Sequence, residues 1–263
     1  MENLSNQLYC MDCMELFPQI PDGCVSMILT DPPYGIRYQN NFTQCQHPQI
    51  VGDDGIDYKR FARESYRILQ ENAHAYFFTR FDCYPYHYDC LKQAGFSIKN
   101  CLVIEKGTIG GIGDLQGSYA NNAEWIVFCQ KGRKVFNHTT LMRNKHSGSY
   151  ARSRKPYEKY KTRFPACWFG EEYPKATYNS VWQKAHQIYH PTIKNAEFLS
   201  WLIQISSQSG ELVFDGFMGT GSTAVAAIAT GRRYLGAEIS HEYHAIAQKR
   251  IAEAMNNDNH ETQ

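Results

Sequence analysis

The 263-residue sequence lacks any apolar stretch approaching the roughly 20 residues that a membrane-spanning helix needs. Its first seven residues, MENLSNQ, contain neither a basic segment nor an apolar one, so no signal peptide is predicted. No internal repeat is visible. We therefore expect a cytoplasmic protein that does not associate with membranes.

The sequence also lacks the cysteine pattern of a disulfide-bonded protein. The nine cysteines are odd in number and scattered, which argues against a disulfide framework and favours reduced thiols. Cys10 and Cys13 form one C-x-x-C, but no second pair stands at zinc-finger spacing. We therefore expect no metal.

Net charge is nearly absent, at +1, yet charge is unevenly distributed. Residues 131–194 hold fourteen Lys or Arg and three Asp or Glu, whereas the rest holds thirteen and twenty-three. Aromatic residues interleave with the basic ones. Basic side chains neutralise phosphates and aromatic rings stack on bases, so this segment predicts a nucleic-acid surface, with Arg152, Arg154 and Lys155 as candidate contacts. A solvated face over a small satellite core is the alternative.

The remaining chain alternates strand and helix patterns, which predicts an α/β fold with the basic segment inserted. Strands are predicted at 24–30, 75–78, 98–104, 125–128, 212–214 and 234–239, and helices at 57–70, 83–94, 195–208 and 222–230, with a last helix carrying Tyr243 and Ile251 on one face. The glycine-rich segment 107–113 is either a plain connection or a lid over a site. A disordered tail is expected over 256–263.

Asp31, Pro32, Pro33 and Tyr34 follow the first of these strands, so a carboxylate stands at the carboxyl end of a strand. The two prolines stiffen the turn and remove two backbone donors, which leaves the Pro32 carbonyl able to accept a hydrogen bond. A carboxylate, a carbonyl and an aromatic ring together can hold the amino group of a flat heterocycle. A plain strand-terminating turn is the alternative.

A glycine-rich turn at residues 214–223 lies between a strand and a helix. Ser222 occupies the lysine position of a P-loop, which argues against a triphosphate site. The glycine order also fits a dinucleotide loop poorly. An S-adenosylmethionine (SAM) loop fits better, because Glu238 stands 23 residues after Asp215, where an acid can bind ribose hydroxyls.

The two motifs together suggest methyl transfer to an amino nitrogen. An exocyclic amine is a poor nucleophile because its lone pair is delocalised into the ring. Asp31 and the Pro32 carbonyl can accept its two hydrogens, which favours a pyramidal nitrogen facing the methyl donor, while Tyr34 stacks on the base. A base inside a duplex must be flipped out to reach such a site.

These motifs resemble the β-class amino-methyltransferases of DNA over most of the chain outside about 133–185. The family order is the Asp-Pro-Pro-Tyr half, a target-recognition region and the SAM half, as here. The resemblance implies a doubly wound, mainly parallel seven-stranded Rossmann-like sheet with one reversed strand. It divides the chain into a catalytic half (1–132), a target-recognition region (133–189), a SAM-binding half of the same domain (190–255) and the tail.

The resemblance also implies site residues. Asp31, Pro32, Pro33 and Tyr34 are expected to be catalytic. Residues expected to contact SAM are Asp12, Cys13, Asp31, Thr192, Lys194, Asp215, Phe217, Gly219, Thr220, Gly221, Ser222, Thr223 and Glu238. The chain departs from the family at Gly216 and Asn195, where proline is usual.

The expected activity is SAM-dependent methylation of adenine N6 in DNA, since Asp at the first motif position resembles the adenine enzymes. N4-cytosine methylation is the alternative, followed by methylation of a glutamine amide in a protein. A further alternative, from a different functional class, is a SAM- or DNA-binding module that does not catalyse a reaction. DNA is the expected partner, and a homodimer stays open.

Overall fold

The computed structural model describes residues 4–34, 56–105, 123–137 and 196–261. A seven-stranded sheet lies at its centre. Its strands are β1 (Gln7–Tyr9), β2 (Val25–Thr30), β3 (Leu69–Thr79), β4 (Ser97–Glu105), β5 (Ala123–Lys131), β6 (Leu212–Asp215) and β7 (Arg233–Ala237). The helices are α1 (Cys13–Leu16), α2 (Tyr58–Ile68), α3 (Tyr84–Ala94), α4 (Ala196–Ser206), α5 (Ser222–Ala229) and α6 (His241–Glu261), with a short 3₁₀ turn at Phe17–Gln19.

The strands lie in the order β1-β7-β6-β2-β3-β5-β4. Within the sheet, the neighbouring strands β1, β7, β6, β2 and β3 are all paired in parallel. Strand β5 is antiparallel to both β3 and β4, so it is the one reversed strand of the seven. The predicted doubly wound, mainly parallel sheet is confirmed.

Apolar side chains cover both faces of the sheet. Along β2, Ile28 packs on the face covered by α1, α2 and α3, while Met27 and Leu29 pack on the face covered by α4, α5 and α6. All six β2 residues are buried, as expected for a central parallel strand with helices on both faces. The fold is therefore a three-layer α/β/α arrangement.

Local sequence explains where α2 and α3 begin and end. Asp57 caps α2 by accepting a hydrogen bond from the Arg60 N–H at 3.0 Å. Helix α3 has Pro85 in its first turn and ends at Gly95, whose φ of 111° lies in the left-handed region. Helix α3 thus ends where the sequence predicts.

Two sequence predictions need correction. Leu69, predicted within the second half of a helix over 57–70, instead begins β3, which runs for 11 residues because it pairs with both β2 and β5. The polar stretch at the start of β3 hides this pairing from pattern analysis. The predicted tail also differs, since α6 continues to Glu261: once a helix has formed, each further residue adds a hydrogen bond at little cost.

Several predictions fall outside the described residues. They concern the segment 107–113, Arg152, Arg154, Lys155, Thr192, Lys194 and Asn195. Within the described ranges, no helix is long and apolar enough to cross a membrane, and no group of three His, Cys, Asp or Glu is placed to hold a metal ion. The cysteines in these ranges are all free thiols.

Candidate active site

The site lies at the carboxyl edge of the sheet, between β2 and β6. From β2 the chain continues outward to β3, whereas from β6 it continues to β7 on the other side, so chain order reverses between these two strands. Open α/β sheets bind ligands at such a reversal. Asp31 directly follows β2 and therefore stands at this crevice.

The Asp31 carboxylate is held by its own motif. The Tyr34 hydroxyl donates a hydrogen bond of 2.5 Å to Asp31 Oδ1. Burial raises the pKa of Tyr34 well above its usual value, and the negative Asp31 adds to this shift. Tyr34 is therefore a neutral donor at any physiological pH, and it fixes the orientation of the carboxylate.

Helix α3 contacts Tyr34 through His87, a feature that the sequence did not reveal. The rings of Tyr34 and His87 are 6.3 Å apart, and His87 stacks on Tyr58 at 3.8 Å with an angle of 2°. His87 Nδ1 also lies 2.8 Å from the Thr79 hydroxyl. Burial lowers the pKa of His87 to about 4, so this packing is uncharged.

Asp215, at the end of β6, connects three elements. Its Oδ1 accepts hydrogen bonds from the Thr30 hydroxyl at 2.7 Å and from the Phe217 N–H at 3.0 Å, and its Oδ2 accepts one from the Thr223 hydroxyl at 2.7 Å. The side chain is buried. Burial raises the pKa of Asp215 to about 6, although these three donors oppose the shift. The carboxylate therefore organises the glycine-rich loop from inside the protein.

Glu238 holds the other side of that loop. Its carboxylate accepts hydrogen bonds from the backbone N–H groups of Gly219 and Ser240, both at 2.8 Å. Gly219 and Gly221 have φ values of 56° and 85°, which other residues rarely adopt. Glu238 is buried, and burial raises its pKa while the two N–H groups oppose the shift.

The end of β1 completes the site. Asp12 caps α1 by accepting a hydrogen bond from the Met14 N–H at 2.8 Å. Cys13 is buried against the loop, because a Cβ atom added at Gly216 would lie 3.3 Å from Cys13 Cβ. The Glu238 N–H donates to the Tyr9 carbonyl at 2.9 Å. The end of β1, the glycine-rich loop and Glu238 thus meet at one edge of the sheet.

Arg250 on α6 clamps the loop from outside, and sequence analysis missed it. Its Nη1 donates hydrogen bonds to the Thr220 carbonyl at 2.6 Å, to the Thr220 hydroxyl at 2.8 Å and to Ser222 Oγ at 3.4 Å. No pattern near residue 250 marks this role, since its partners lie about 30 residues earlier. Thr30 was also not predicted as a site residue. Its position directly before the Asp31 motif could have indicated that it lies at the site.

Gly236 on β7 is a further residue that the sequence did not single out. A Cβ atom there would lie 2.4 Å from both the Asp215 carbonyl oxygen and Met218 Cε. Glycine is therefore required for the loop to pack against β7. The Met218 N–H also donates to the Ala237 carbonyl at 2.9 Å, which ties the loop to the same strand.

The described residues leave hydrogen-bonding capacity for the ribose of SAM and room for a ligand beside the loop backbone. An ionised carboxylate offers about four lone-pair positions, so Glu238 keeps capacity for ribose hydroxyls beside its two backbone donors. The glycines allow a ligand to approach the backbone closely. Of the predicted cofactor residues, the structure brings together Asp12, Cys13, Asp31, Asp215, Phe217, Gly219, Thr220, Gly221, Ser222, Thr223 and Glu238 at this edge.

Known proteins resemble this chain along most of its length. It is 28% identical over 246 residues to YubD of Escherichia coli (strain K12), an alignment covering 92% of this chain and 88% of that protein. It is 27% identical over 265 residues to the type II methyltransferase M.HinfI of Haemophilus influenzae, covering 94% and 68% of the two chains. Among solved structures, the cytosine-N4-specific PvuII DNA methyltransferase shares the fold, with a TM-score of 0.62, 14% identity and coverage of 97% and 92%.

A family model described as DNA methylase, for N6 and N4 methyltransferases, matches residues 25–249. This span contains the Asp31 motif, the glycine-rich loop and Glu238, and it supports the predicted cofactor, S-adenosyl-L-methionine. It confirms the predicted DNA amino-methyltransferase family and DNA as the substrate. The chain therefore belongs to the N6/N4 family of DNA methylases.

Proposed function

We propose that this protein transfers a methyl group from SAM to the exocyclic N6 amine of an adenine that is flipped out of DNA. The observation that supports it is the position of Asp31 at the chain reversal between β2 and β6, beside the loop held by Asp215 and Glu238. The catalytic motif and the cofactor loop therefore border one crevice.

Asp31 acts on the amine. Its carboxylate accepts a hydrogen bond from the exocyclic amine, which localises the nitrogen lone pair and directs it at the methyl group. As the nitrogen–carbon bond forms, the bond from the SAM sulfur to the methyl carbon breaks, S-adenosylhomocysteine leaves, and the methylated nitrogen loses one proton to water. Tyr34 donates to Oδ1 and thereby limits the rotation of the carboxylate. The Pro32 carbonyl accepts the second hydrogen. Catalysis by these groups consists of positioning and electrostatic stabilisation.

The cofactor supplies a methyl group on a positively charged sulfur. Glu238 accepts hydrogen bonds from the ribose, and the loop from Phe217 to Thr223 surrounds the methionine portion. The Asp215 carboxylate accepts hydrogen bonds from Thr30, Phe217 and Thr223 inside the protein, and its contact with the cofactor stays a prediction. We assign Asp215 to shaping the loop.

Cytosine N4 is the second candidate, because the same carboxylate can accept a hydrogen from the cytosine amine. Digestion of methylated DNA to nucleosides, followed by mass spectrometry, distinguishes the two products. N6-methyladenine is expected, whereas N4-methylcytosine alone would favour the alternative. Sequencing the modified positions would then give the target site.

Base flipping is tested with 2-aminopurine placed at the target position. Its fluorescence should increase on binding if the base is flipped out of the duplex.

The catalytic assignment is tested by Asp31→Ala and Asp31→Asn. Both variants should lose methyl transfer from labelled SAM while melting near the wild-type temperature. Asp89→Ala is the matched control, because Asp89 is an exposed aspartate on α3. Transfer by Asp31→Ala at the wild-type rate would contradict the proposal.

The ribose contact is tested by calorimetry of SAM binding to Glu238→Ala. Affinity should fall about tenfold or more, since hydrogen bonds to a charged group contribute roughly 1.5–3 kcal/mol. Glu242→Ala serves as control, because Glu242 is exposed in the next turn. Unchanged affinity would refute the contact, and tight NAD binding would favour a dinucleotide site.

The remaining assignments complete this proposal. Residues 1–132 form the catalytic half, 133–189 the target-recognition region and 190–255 the SAM half of one domain. The protein acts on DNA in the cytoplasm. A homodimer stays a prediction, which sedimentation of the purified protein with and without DNA tests.

A further inference from the structure

A side-chain hydrogen bond joins the carboxyl end of β2 to the residue at which β6 leads into the cofactor loop. The Thr30 hydroxyl donates to Asp215 Oδ1 at 2.7 Å, although the two residues are 185 positions apart. Both side chains are buried, with 1% and 3% of their surfaces exposed. Water is therefore excluded from this bond.

The backbone pairing of these strands ends before the site. Strands β2 and β6 pair at Met27 with Val213 and at Ile28 with Phe214. Beyond that point the strand ends diverge into the Asp31 motif on one side and the loop on the other. The Thr30–Asp215 bond therefore ties the two strand ends where the ladder no longer does.

We propose that Thr30 is a positioning residue for methyl transfer, setting through Asp215 the distance between the Asp31 motif and the cofactor loop. This inference rests on the proposed function. Thr30 is joined to Asp31 by a peptide bond, while Asp215 holds Phe217 and Thr223 of the loop. A change in this bond therefore displaces the amine-binding carboxylate and the methyl-donor site relative to each other.

The size of the expected effect follows from the geometry of group transfer. Reacting atoms must approach to about 3–3.5 Å, and a displacement of about 1 Å can reduce the rate about a hundredfold. Saturating substrates do not restore a misaligned complex. Loss of the Thr30 hydroxyl should therefore lower kcat more than it weakens SAM or DNA binding.

The test compares Thr30→Val, which removes the hydroxyl, with Thr30→Ser, which keeps it. Ser26→Ala is the matched control, because Ser26 lies on the same strand and its hydroxyl accepts a hydrogen bond from the Leu212 N–H of β6 at 3.4 Å. It links the same two strands roughly 13 Å from Thr30, given about 3.3 Å per residue. Kinetics at saturating SAM and unmethylated plasmid DNA give kcat, and calorimetry gives SAM affinity.

We expect kcat of Thr30→Val to fall about tenfold or more with SAM affinity changed about threefold or less. Thr30→Ser should recover most of the rate, and Ser26→Ala should keep it. Because Thr30 acts through Asp215, Thr30→Val should lower kcat much less in an Asp215→Ala background, which lacks the acceptor for the Thr30 hydroxyl, than in the wild type.

Three results would overturn the inference. They are wild-type kcat in Thr30→Val, an equal loss in Ser26→Ala, and full additivity with Asp215→Ala. A wild-type protein that methylates no amine in DNA would instead refute the proposed function, and the inference with it. The two failures are thus distinguished within one assay.

Discussion

Arg250 and Thr220 are joined by two hydrogen bonds, from one guanidinium nitrogen to the carbonyl and the hydroxyl of the same residue, at 2.6 and 2.8 Å. The contact connects α6 to the glycine-rich loop. Burial lowers the pKa of Arg250, which indicates that the guanidinium is partly removed from water. The loop thus receives hydrogen bonds from Arg250 and donates hydrogen bonds to Asp215.

Arg250→Ala should weaken SAM binding about tenfold or more, because the loop loses charge-assisted hydrogen bonds of roughly 1.5–3 kcal/mol each. The SAM affinity of Arg250→Lys should lie between those of the wild type and Arg250→Ala, since an ammonium group lacks the planar fork of donors of the guanidinium. Calorimetry measures both. Lys249→Ala, an exposed neighbour on α6, is the control, and equal affinity of Arg250→Ala and wild type would contradict the clamp.

Tyr34→Phe should lower kcat about tenfold while leaving SAM affinity intact, because it removes the hydrogen bond to Asp31 and keeps the ring. Tyr34→Ala should also raise KM for DNA, because it removes the stacking face. Steady-state kinetics with DNA as the varied substrate separate the two effects. Tyr88→Phe on α3 is the control; a Tyr34→Phe rate equal to wild type would leave the hydroxyl without a role.

Asp215 should make stability depend on pH. Its folded pKa of about 6 lies above the ordinary value of 3.8, so its favourable contribution is complete below about pH 4 and is lost as pH rises through 6. The unfolding free energy of the wild type, relative to Asp215→Asn, should therefore fall by up to roughly 3 kcal/mol over that range.

Denaturant unfolding of both proteins between pH 4 and 8 measures this difference. Asn keeps an acceptor for Thr30 and Phe217 and a group that can bond Thr223, so the variant should fold. Asp89→Asn, at an exposed site, should show no such trend. A constant difference between wild type and Asp215→Asn would contradict the shifted pKa.

Gly236→Ala should destabilise the protein by roughly 1–3 kcal/mol and weaken SAM binding, because the new Cβ would lie 2.4 Å from the Asp215 carbonyl oxygen. Gly216→Ala should cost less, since its nearest contact is 3.3 Å. Adding Met218→Ala to Gly236→Ala removes only the side-chain clash and should restore little. Denaturant unfolding gives the stability of each variant. A loss of stability in Gly216→Ala that equals or exceeds the loss in Gly236→Ala would refute this account of the packing.

Changing Arg152, Arg154 and Lys155 together to Ala should flatten the salt dependence of DNA binding. Each lost phosphate contact reduces the slope of log affinity against log salt by roughly one unit. SAM affinity should not change, because the described cofactor residues lie in other segments. Titrations at several salt concentrations measure the slope, and an unchanged slope would show that these residues do not contact phosphates.

The sequence by itself predicts the chemistry of the site. Asp31-Pro32-Pro33-Tyr34 after a buried strand, and Asp215 to Gly221 between a strand and a helix, are local patterns whose function depends on consecutive residues. Glu238 was found from its spacing, since a strand–loop–helix–strand unit has a nearly fixed length. Helix limits such as Gly95 were also local, because capping acts within one turn.

Only the tertiary structure decided how these motifs are supported. Thr30 meets Asp215, Arg250 meets Thr220, and Gly236 makes room for Asp215, although each pair is separated along the chain and has no periodic signal. The structure also shows Asp215 as an internal hydrogen-bond acceptor, a role that the sequence did not indicate. Patterns along a sequence report the neighbours of a residue in the chain, whereas these contacts depend on strand order, which sets β2 beside β6.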